Sequence, residues 1–277
     1  MRIFSFSDPK YFKYLNSLVR SIRYSENENH IHLLLLDFNK RQQDAVLNGF
    51  KNDSKIHFDF IESINTYGKP IKNKTNFYRN CRPRYFLKLL KEYPSDNLLT
   101  FGANGIVFKN LNFIEKQLDK NDFVFLERTK KTPDGKIIKN IGQFVDYLDT
   151  RDMDISDMFE NSWPGKLVLL GTHGIQNNNK TRSVIESWKN YIEESDNINQ
   201  WFSDMSYFVR AYVEYEKKHD YTFKKSTGWN LPREENPYVD TLLGEGTNIW
   251  FAKGPAKFNN KKYLKMVDKF KDFEYNL

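Results

Sequence analysis

Leu98-Leu-Thr-Phe-Gly-Ala-Asn-Gly-Ile-Val-Phe-Lys109 contains an apolar run of strand length, a turn of small residues and a second short apolar run. Leu98–Phe101 lacks the polar alternation of a half-wetted strand, so it predicts a strand buried on both faces. Gly102-Ala-Asn-Gly105 predicts a tight turn that lets a ligand approach the backbone closely. Ile106–Phe108 then predicts a short strand. A doubly buried strand belongs in a parallel sheet covered by helices, and the preceding residues alternate in that way.

Arg2–Ser7 predicts a first strand. Lys10–Tyr24 follows as a helix, with Phe12, Leu15, Val19 and Ile22 at helical spacing. Ile31–Leu36 predicts a buried strand, Arg41–Phe50 a weak helix ending near Gly49, and Lys55–Ile61 a strand. Glu62 to Asn76 reads as a polar loop. Arg84–Tyr93 reads as a helix with Phe86, Leu87, Leu89 and Leu90 on its apolar side, stopped by Pro94. Such alternation means parallel β-α-β units, whose ligands sit outside the carboxyl ends of the strands. Two such ends are Ser7-Asp8 and Phe101-Gly102.

The second half is less regular. Strands are expected at Phe123–Leu126, Lys166–Leu170 and Asn248–Phe251, and a turn at Thr132-Pro-Asp-Gly135. Helices are expected at Lys180–Glu194, Ser203–Lys217 and Asn260–Phe273. No linker stands out, so residues 1–277 read as one domain. Residues 1–111 form its regular half and residues 112–277 an irregular part over the ligand edge.

Hydrophobic content of 39%, with 23 Phe and 16 Tyr, is enough for a large core. The net charge of +7 arises from 43 basic residues scattered among 36 acidic ones. That scatter favours a solvated basic surface suited to an anionic ligand over a dedicated nucleic-acid stripe. A single cysteine, Cys81, excludes an intramolecular disulfide and a thiolate cluster. The chain moves straight into a strand and has no apolar run of membrane-spanning length, so a soluble cytoplasmic protein is expected.

Each candidate residue has a plain reading beside its functional one. Ser7 and Asp8 offer polar acceptors for a base or ribose, while Asp8 before Pro9 also suits a helix cap. Arg79, Arg82 and Arg84 precede an apolar helix and supply forks for a diphosphate, or are three surface arginines. His173 lies in Gly171-Thr-His-Gly174, where a structural histidine is the commoner outcome. Lys253 and Gly254 form a lysine-glycine turn suited to phosphate. His30, His32, His57 and His219 lack metal-ligand spacing.

The order of these pieces resembles the GT-A-type nucleotide-sugar glycosyltransferases, closest to the family 8 pattern. Ile3 to Phe12 and Asn16 to Ile22 look like the strand and helix that hold the nucleoside. Leu98 to Leu111 is similar to the frame that carries the Asp-x-Asp metal motif, with Gly102, Ala103 and Asn104 in its place. Gly171 to Asn178 resembles an acceptor-side segment, Trp201 to Met205 an Asp-Gln element, and Ile249 to Gly254 the late segment bearing a metal-ligating His and a Lys-Gly pair.

This resemblance implies an α/β fold with a GT-A-like, Rossmann-like mixed sheet and helices on both faces, residues 1–111 being the nucleotide-binding half and residues 112–277 the acceptor-side half. It implies sugar transfer from a nucleotide sugar to a glycan or lipid-linked acceptor. With Gly102, Asn104, Trp250 and Phe251 where metal ligands usually stand, no metal or other cofactor is expected. The roles implied are Asp8 at the base or ribose, Asn104 at the ribose or sugar, and Asp204 at donor or acceptor hydroxyls. Lys253 and the three arginines would face the diphosphate, helped by backbone N–H groups. The alternatives are a catalytically silent protein of the same fold and, less favoured, a basic nucleic-acid-binding protein. Peripheral membrane contact through the basic surface is compatible with a lipid-linked acceptor.

Overall fold

The computed structural model describes residues 1–63, 74–128, 167–195, 203–219, 225–226, 239–240, 249–252 and 256–271. In chain order the described elements are β1 (Arg2–Ser7), α1 (Phe12–Tyr24), β2 (His30–Leu36), α2 (Lys40–Gly49), β3 (Ile56–Ile61), α3 (Lys74–Asn80) and α4 (Arg82–Glu92). They continue as β4 (Leu98–Gly102), β5 (Gly105–Val107), α5 (Asn112–Leu118), β6 (Phe123–Arg128), β7 (Leu167–Ile175), α6 (Asn179–Glu194) and α7 (Ser203–His219). The last are β8 (Lys225–Ser226), β9 (Val239–Asp240), β10 (Ile249–Ala252), α8 (Ala256–Asn259) and α9 (Lys261–Lys271). Two compact units emerge: Met1–Ser63 with Asn97–Asp119 and Asn230–Leu277, and Ile64–Asp96 with Lys120–Trp229.

The first unit is built on four parallel strands in the order β3-β2-β1-β4. Ile3 lies level with Ile31 on one side and Leu99 on the other. The continuous apolar runs at β2 and β4 are buried, as doubly covered parallel strands require. Leu15, Leu18, Val19 and Ile22 of α1 are fully buried. Between them Ser17 and Ser21 are small enough to allow close approach. Ser17 Oγ donates to Val267 O at 2.8 Å, and Ser21 Oγ accepts from Val107 N at 2.9 Å. Ser25 Oγ donates to Val107 O at 2.9 Å, so two serines of the α1 region hold both backbone groups of one β5 residue. β10 lies antiparallel between β5 and β9 in a small second sheet.

One ion pair is built into this core. Arg23 Nε donates to Asp53 Oδ2 at 2.7 Å, and both side chains are 2% exposed. The rest of the guanidinium donates to Asn27 O and Asn29 O, and Asp53 Oδ1 accepts from Lys55 N. The pair therefore satisfies its own hydrogen-bonding groups while fixing two loops.

In the second unit β6 runs antiparallel to β7 and parallel to β8. Phe86, Phe123, His173, Trp188 and Phe208 make its aromatic core, with Trp188 and Phe208 edge to face at 5.1 Å. α6 begins with a capping box, in which Asn178 Oδ1 accepts from Thr181 N and Thr181 Oγ1 from Asn178 N. Asn177 Nδ2 donates to Leu90 O and Tyr93 O, satisfying carbonyls at the end of α4.

Several boundaries differ from those expected. β7 does not stop at Leu170 but runs to Ile175, through Gly171-Thr-His-Gly174, because Phe123 to Phe125 pair with Ile175 to His173. Cross-strand pairing outweighs the local glycine signal there. The end of the polar run read as a loop is helical from Lys74, and the helix at Asn112–Leu118 was too short for its period to register. Asn260 precedes the last helix and caps it through Oδ1, which accepts from Tyr263 N at 3.0 Å. The turn expected at Thr132–Gly135 lies outside the described residues.

Two outcomes are expected. Asp53→Ala leaves a buried guanidinium uncompensated and should cost about 3 kcal/mol, read as a lower urea midpoint at unchanged slope. In the second unit, Tyr191 donates its hydroxyl to the Glu214 carboxylate. Burial, then that carboxylate, pushes its phenol up to about 12. Because the folded value lies above the ordinary one, this stabilisation is complete below about pH 10 and is lost as pH rises toward 12. The Tyr191→Phe variant should show a smaller alkaline loss of stability than the parent.

Candidate functional site at the carboxyl edge of the parallel strands

Parallel strands end on the same edge, so the loops that leave them are brought side by side. Ser7 lies level with Leu35, Leu36 with Ile61, and Phe6 with Gly102. Asp8, Asp37, Ser63 and the turn beginning at Gly102 therefore succeed one another along one edge of the first unit. Asp37 adopts a left-handed backbone, with φ of 60°, which turns the chain sharply after β2. Its carboxylate accepts from Ser63 N at 2.8 Å and Ser63 Oγ at 3.0 Å, tying the ends of β2 and β3 together.

Ser7 is buried, and its Oγ donates to Asp8 O at 2.7 Å. Asp8 Oδ1 accepts from Tyr11 N at 2.9 Å, which closes the turn leading into α1 and is not a cap on the helix itself, whose N-cap is Tyr11. Oδ2 makes no hydrogen bond among the described residues, and the side chain is half-buried. One carboxylate can thus hold the helix entry and still offer an acceptor to a ligand N–H or hydroxyl. Beside this edge Phe12 meets Phe38 edge to face at 5.5 Å, and Phe38 meets Phe60 at 6.3 Å. Sequence reasoning missed Asp37 and this aromatic group, although the Leu-Asp-Phe ending of β2 lay in plain view.

The Gly102-Ala-Asn-Gly105 turn joins β4 to β5. Gly102, Ala103 and Asn104 are half-buried and Gly105 is buried. Its backbone is held from the far end of the chain, where Tyr263 Oη donates to Asn104 O at 2.9 Å. Tyr263 is fully buried in α9 and stacks on Tyr14 at 6.1 Å. Burial and the neighbouring Tyr14 push its phenol up, so it remains a neutral donor. Phe251 lies opposite Gly105, and Trp250 opposite Ile106. The late segment expected near the turn is therefore paired with the strand that leaves it.

A divalent cation fits this donor set poorly. Gly102 has no side chain, Asn104 carries a neutral amide, and Phe251 has no donor atom. Among the described residues no group of three His, Cys, Asp or Glu is placed to hold a metal ion. Lys253 and Gly254 lie outside the described residues.

The remaining candidates belong to the second unit. The backbone of Arg79 is in α3, and its side chain lies outside the described residues. Arg82 and Asp204 are both buried and form an ion pair with one another. Arg84 is exposed, and its Nη2 lies 2.7 Å from Glu193 Oε1. His173 is fully buried in β7, with its ring 5.3 Å from Phe86 and 6.3 Å from Phe208. Arg82 and Asp204, read separately as ligand contacts, are thus brought together, and His173 is placed in the aromatic core. That pairing joins residues 122 positions apart, which no local pattern signals.

No protein-family profile matches the chain, and no curated protein matches it. Solved structures do. The galactosyltransferase LgtC, in complex with donor and acceptor sugar analogues, is 14% identical, with a TM-score of 0.60 over 99% of this chain and 98% of that one. An active-site mutant of LgtC superposes with a TM-score of 0.57 at 14% identity, over the same shares of the two chains. The bifunctional glycosyltransferase WbbM matches with a TM-score of 0.52 at 12% identity, over 77% of this chain and 37% of that one. At such identities the likeness is one of fold. The chain has the mixed α/β, GT-A-like fold of LgtC.

Proposed function

We propose that the protein is a glycosyltransferase that moves a sugar from a nucleotide-sugar donor to a hydroxyl of a glycan or lipid-linked acceptor. One observation carries this reading. The edge bearing Asp8 also bears the small-residue turn at Gly102, within a fold shared over 99% of the chain with a sugar transferase. That edge is also where open α/β sheets take their ligands.

In this reading Asp8 Oδ2 accepts a hydrogen bond from the base or ribose, and Ser7 supports it. Asn104 presents its amide to the donor ribose or sugar, and Gly102 and Ala103 leave room for the diphosphate beside the backbone. In the reaction the acceptor oxygen forms a bond to the anomeric carbon. The bond from that carbon to the diphosphate breaks, and its electron pair leaves with the nucleoside diphosphate. We assign the developing charge to Lys253 and Gly254, which come after β10, and to backbone N–H groups of the turn. Arg82 and Arg84 already face carboxylates, so the leaving group is not assigned to them. The poor donor set at Gly102 and Asn104 favours transfer without a divalent ion.

The first experiment is thermal stability against UDP-, GDP-, CMP- and TDP-sugars, each with manganese and with EDTA. A donor at a hundred times its Kd should stabilise the fold by about 2.7 kcal/mol, equally in both conditions. A rise seen only with manganese would overturn metal independence, and no rise with any donor would overturn donor binding. For the preferred donor, Lys253→Ala should lower kcat on the order of 100-fold with the melting temperature of the free protein unchanged. Tyr263→Phe should cost about 1 kcal/mol of stability and further weaken the donor-induced rise, because the turn at Asn104 loses its clamp.

A further inference from the structure

Three of the five histidines gather at the amino edge of the first unit's sheet, away from the edge proposed for the donor. His30 and His32 are two residues apart in β2 and so share one face. On that face His57 of β3 lies level with His32, and Arg2 of β1 lies level with His30. His32 is buried, while Arg2, His30 and His57 are half-buried. Spacing along the chain gives no sign of this group, because strand register assembles it.

The contacts fix where protons can sit. A guanidinium is always charged and only donates, so His32 Nε2, 3.1 Å from Arg2 Nη1, must accept. His32 is therefore neutral, with its proton on Nδ1. Protonating it would turn the accepting lone pair into an N–H aimed at a cation. His30 Nδ1 and His57 Nε2 are 2.9 Å apart, with ring centres at 5.2 Å and planes 16° from parallel. These two imidazoles meet edge to edge, and their facing nitrogens hold one proton between them. A single added proton, on the donor's outer nitrogen, keeps that bond and makes it charge-assisted. A second would set two N–H groups head to head. His57 also stacks on His32, with ring centres 4.6 Å apart, so charge on the pair further opposes charge on His32.

The surrounding charges reinforce this division. Asp59 lies two residues beyond His57 on the same face of β3 and favours charge on the His30–His57 pair. Lys55, just before β3, bonds Glu28 at 2.8 Å, and Arg23 of α1 is held by Asp53. β4 brings only the uncharged Leu98 and Thr100 level with Arg2 and Phe4. We infer that Arg2, His30, His32 and His57 form a proton-sensitive catch that joins β1, β2 and β3 at neutral pH and lets go in acid. Folded, the group takes up one proton; unfolded, its three imidazoles take up three once the pH is well below about 6.5. Because the unfolded chain binds more protons, stability is full above about pH 7 and falls as the pH drops through about 6. The catch uses no residue assigned to the donor, so it stands or falls apart from the proposed sugar transfer.

The test is urea unfolding between about pH 7.5 and about pH 5 for the parent, His32→Gln, and the double variant His32→Gln, His57→Gln. Glutamine offers Arg2 an oxygen acceptor and does not titrate. Each excess proton on the unfolded chain weakens folding about tenfold per pH unit. Between about pH 6 and about pH 5 the folding constant of the parent should therefore fall on the order of 10-fold more than that of His32→Gln. It should fall on the order of 100-fold more than that of the double variant. Other titrating groups, His173 included, act alike in all three proteins and cancel. Variants that lose as much stability at neutral pH as in acid would show a structural role only and overturn the inference. Nitrogen-15 spectra of the parent's histidine rings supply a second readout that needs no variant to fold. They should show His32 neutral, with its proton on Nδ1, until the protein unfolds, while the His30–His57 pair gains one charge. An imidazolium at His32 in the folded protein, or two in the pair, would overturn the catch.

Discussion

Four parallel strands must end on one edge, and much of the first unit is a result of that constraint. Hydrogen bonding in the order β3-β2-β1-β4 leaves no freedom over which loops become neighbours. Asp8, Asp37, Ser63 and the Gly102 turn meet because the strands before them are in register, although they are spread over nearly a hundred residues of sequence. The same constraint demands cover on both faces and so selects the apolar runs Ile31–Leu36 and Leu98–Phe101. Once helices supply that cover, the edge is the one place where polar groups can gather without a burial penalty.

The strands and helices of the first unit were legible because periodicity is a local property. β1, α1, β2, α2, β3 and β4 all fall within a few residues of where spacing placed them. The misses had non-local causes. The strand expected to end at Leu170 runs on through Gly171 and Gly174 because β6 supplies a ladder of partners. Asn260 falls inside the helix expected from spacing but serves better outside it, accepting the third N–H of α9, that of Tyr263. At the candidate edge Asp8 was readable as the residue leading into α1, since Pro9 comes next. Tyr263 was not, because nothing near residue 263 mentions residue 104.

Charge shows the same divide. The arginines of the Tyr78–Arg84 segment are equivalent in sequence, being cations before an apolar helix. In the folded second unit Arg82 is buried against Asp204, while Arg84 reaches Glu193 from an exposed position. A buried guanidinium needs a carboxylate, and the chain provides one on another helix. Arg23 and Asp53 obey the same rule in the first unit. Two of the cations that an anion-binding reading would use are therefore already engaged.

The hydrogen bond from Tyr263 to Asn104 spans 159 residues, and its consequence is one of timing. The first unit is assembled from Met1–Ser63, Asn97–Asp119 and Asn230–Leu277, so its last portion leaves the ribosome after every residue of the second unit. Until β10 arrives β5 lacks that neighbour, and until α9 follows it Tyr14 lacks the Tyr263 ring and the turn at Asn104 has no clamp. A nascent chain can form the local β-α-β portion early, but the turn of the candidate site sets only when synthesis has passed residue 263. The first unit is therefore completed late in the life of the chain, after every residue of the second unit has been made.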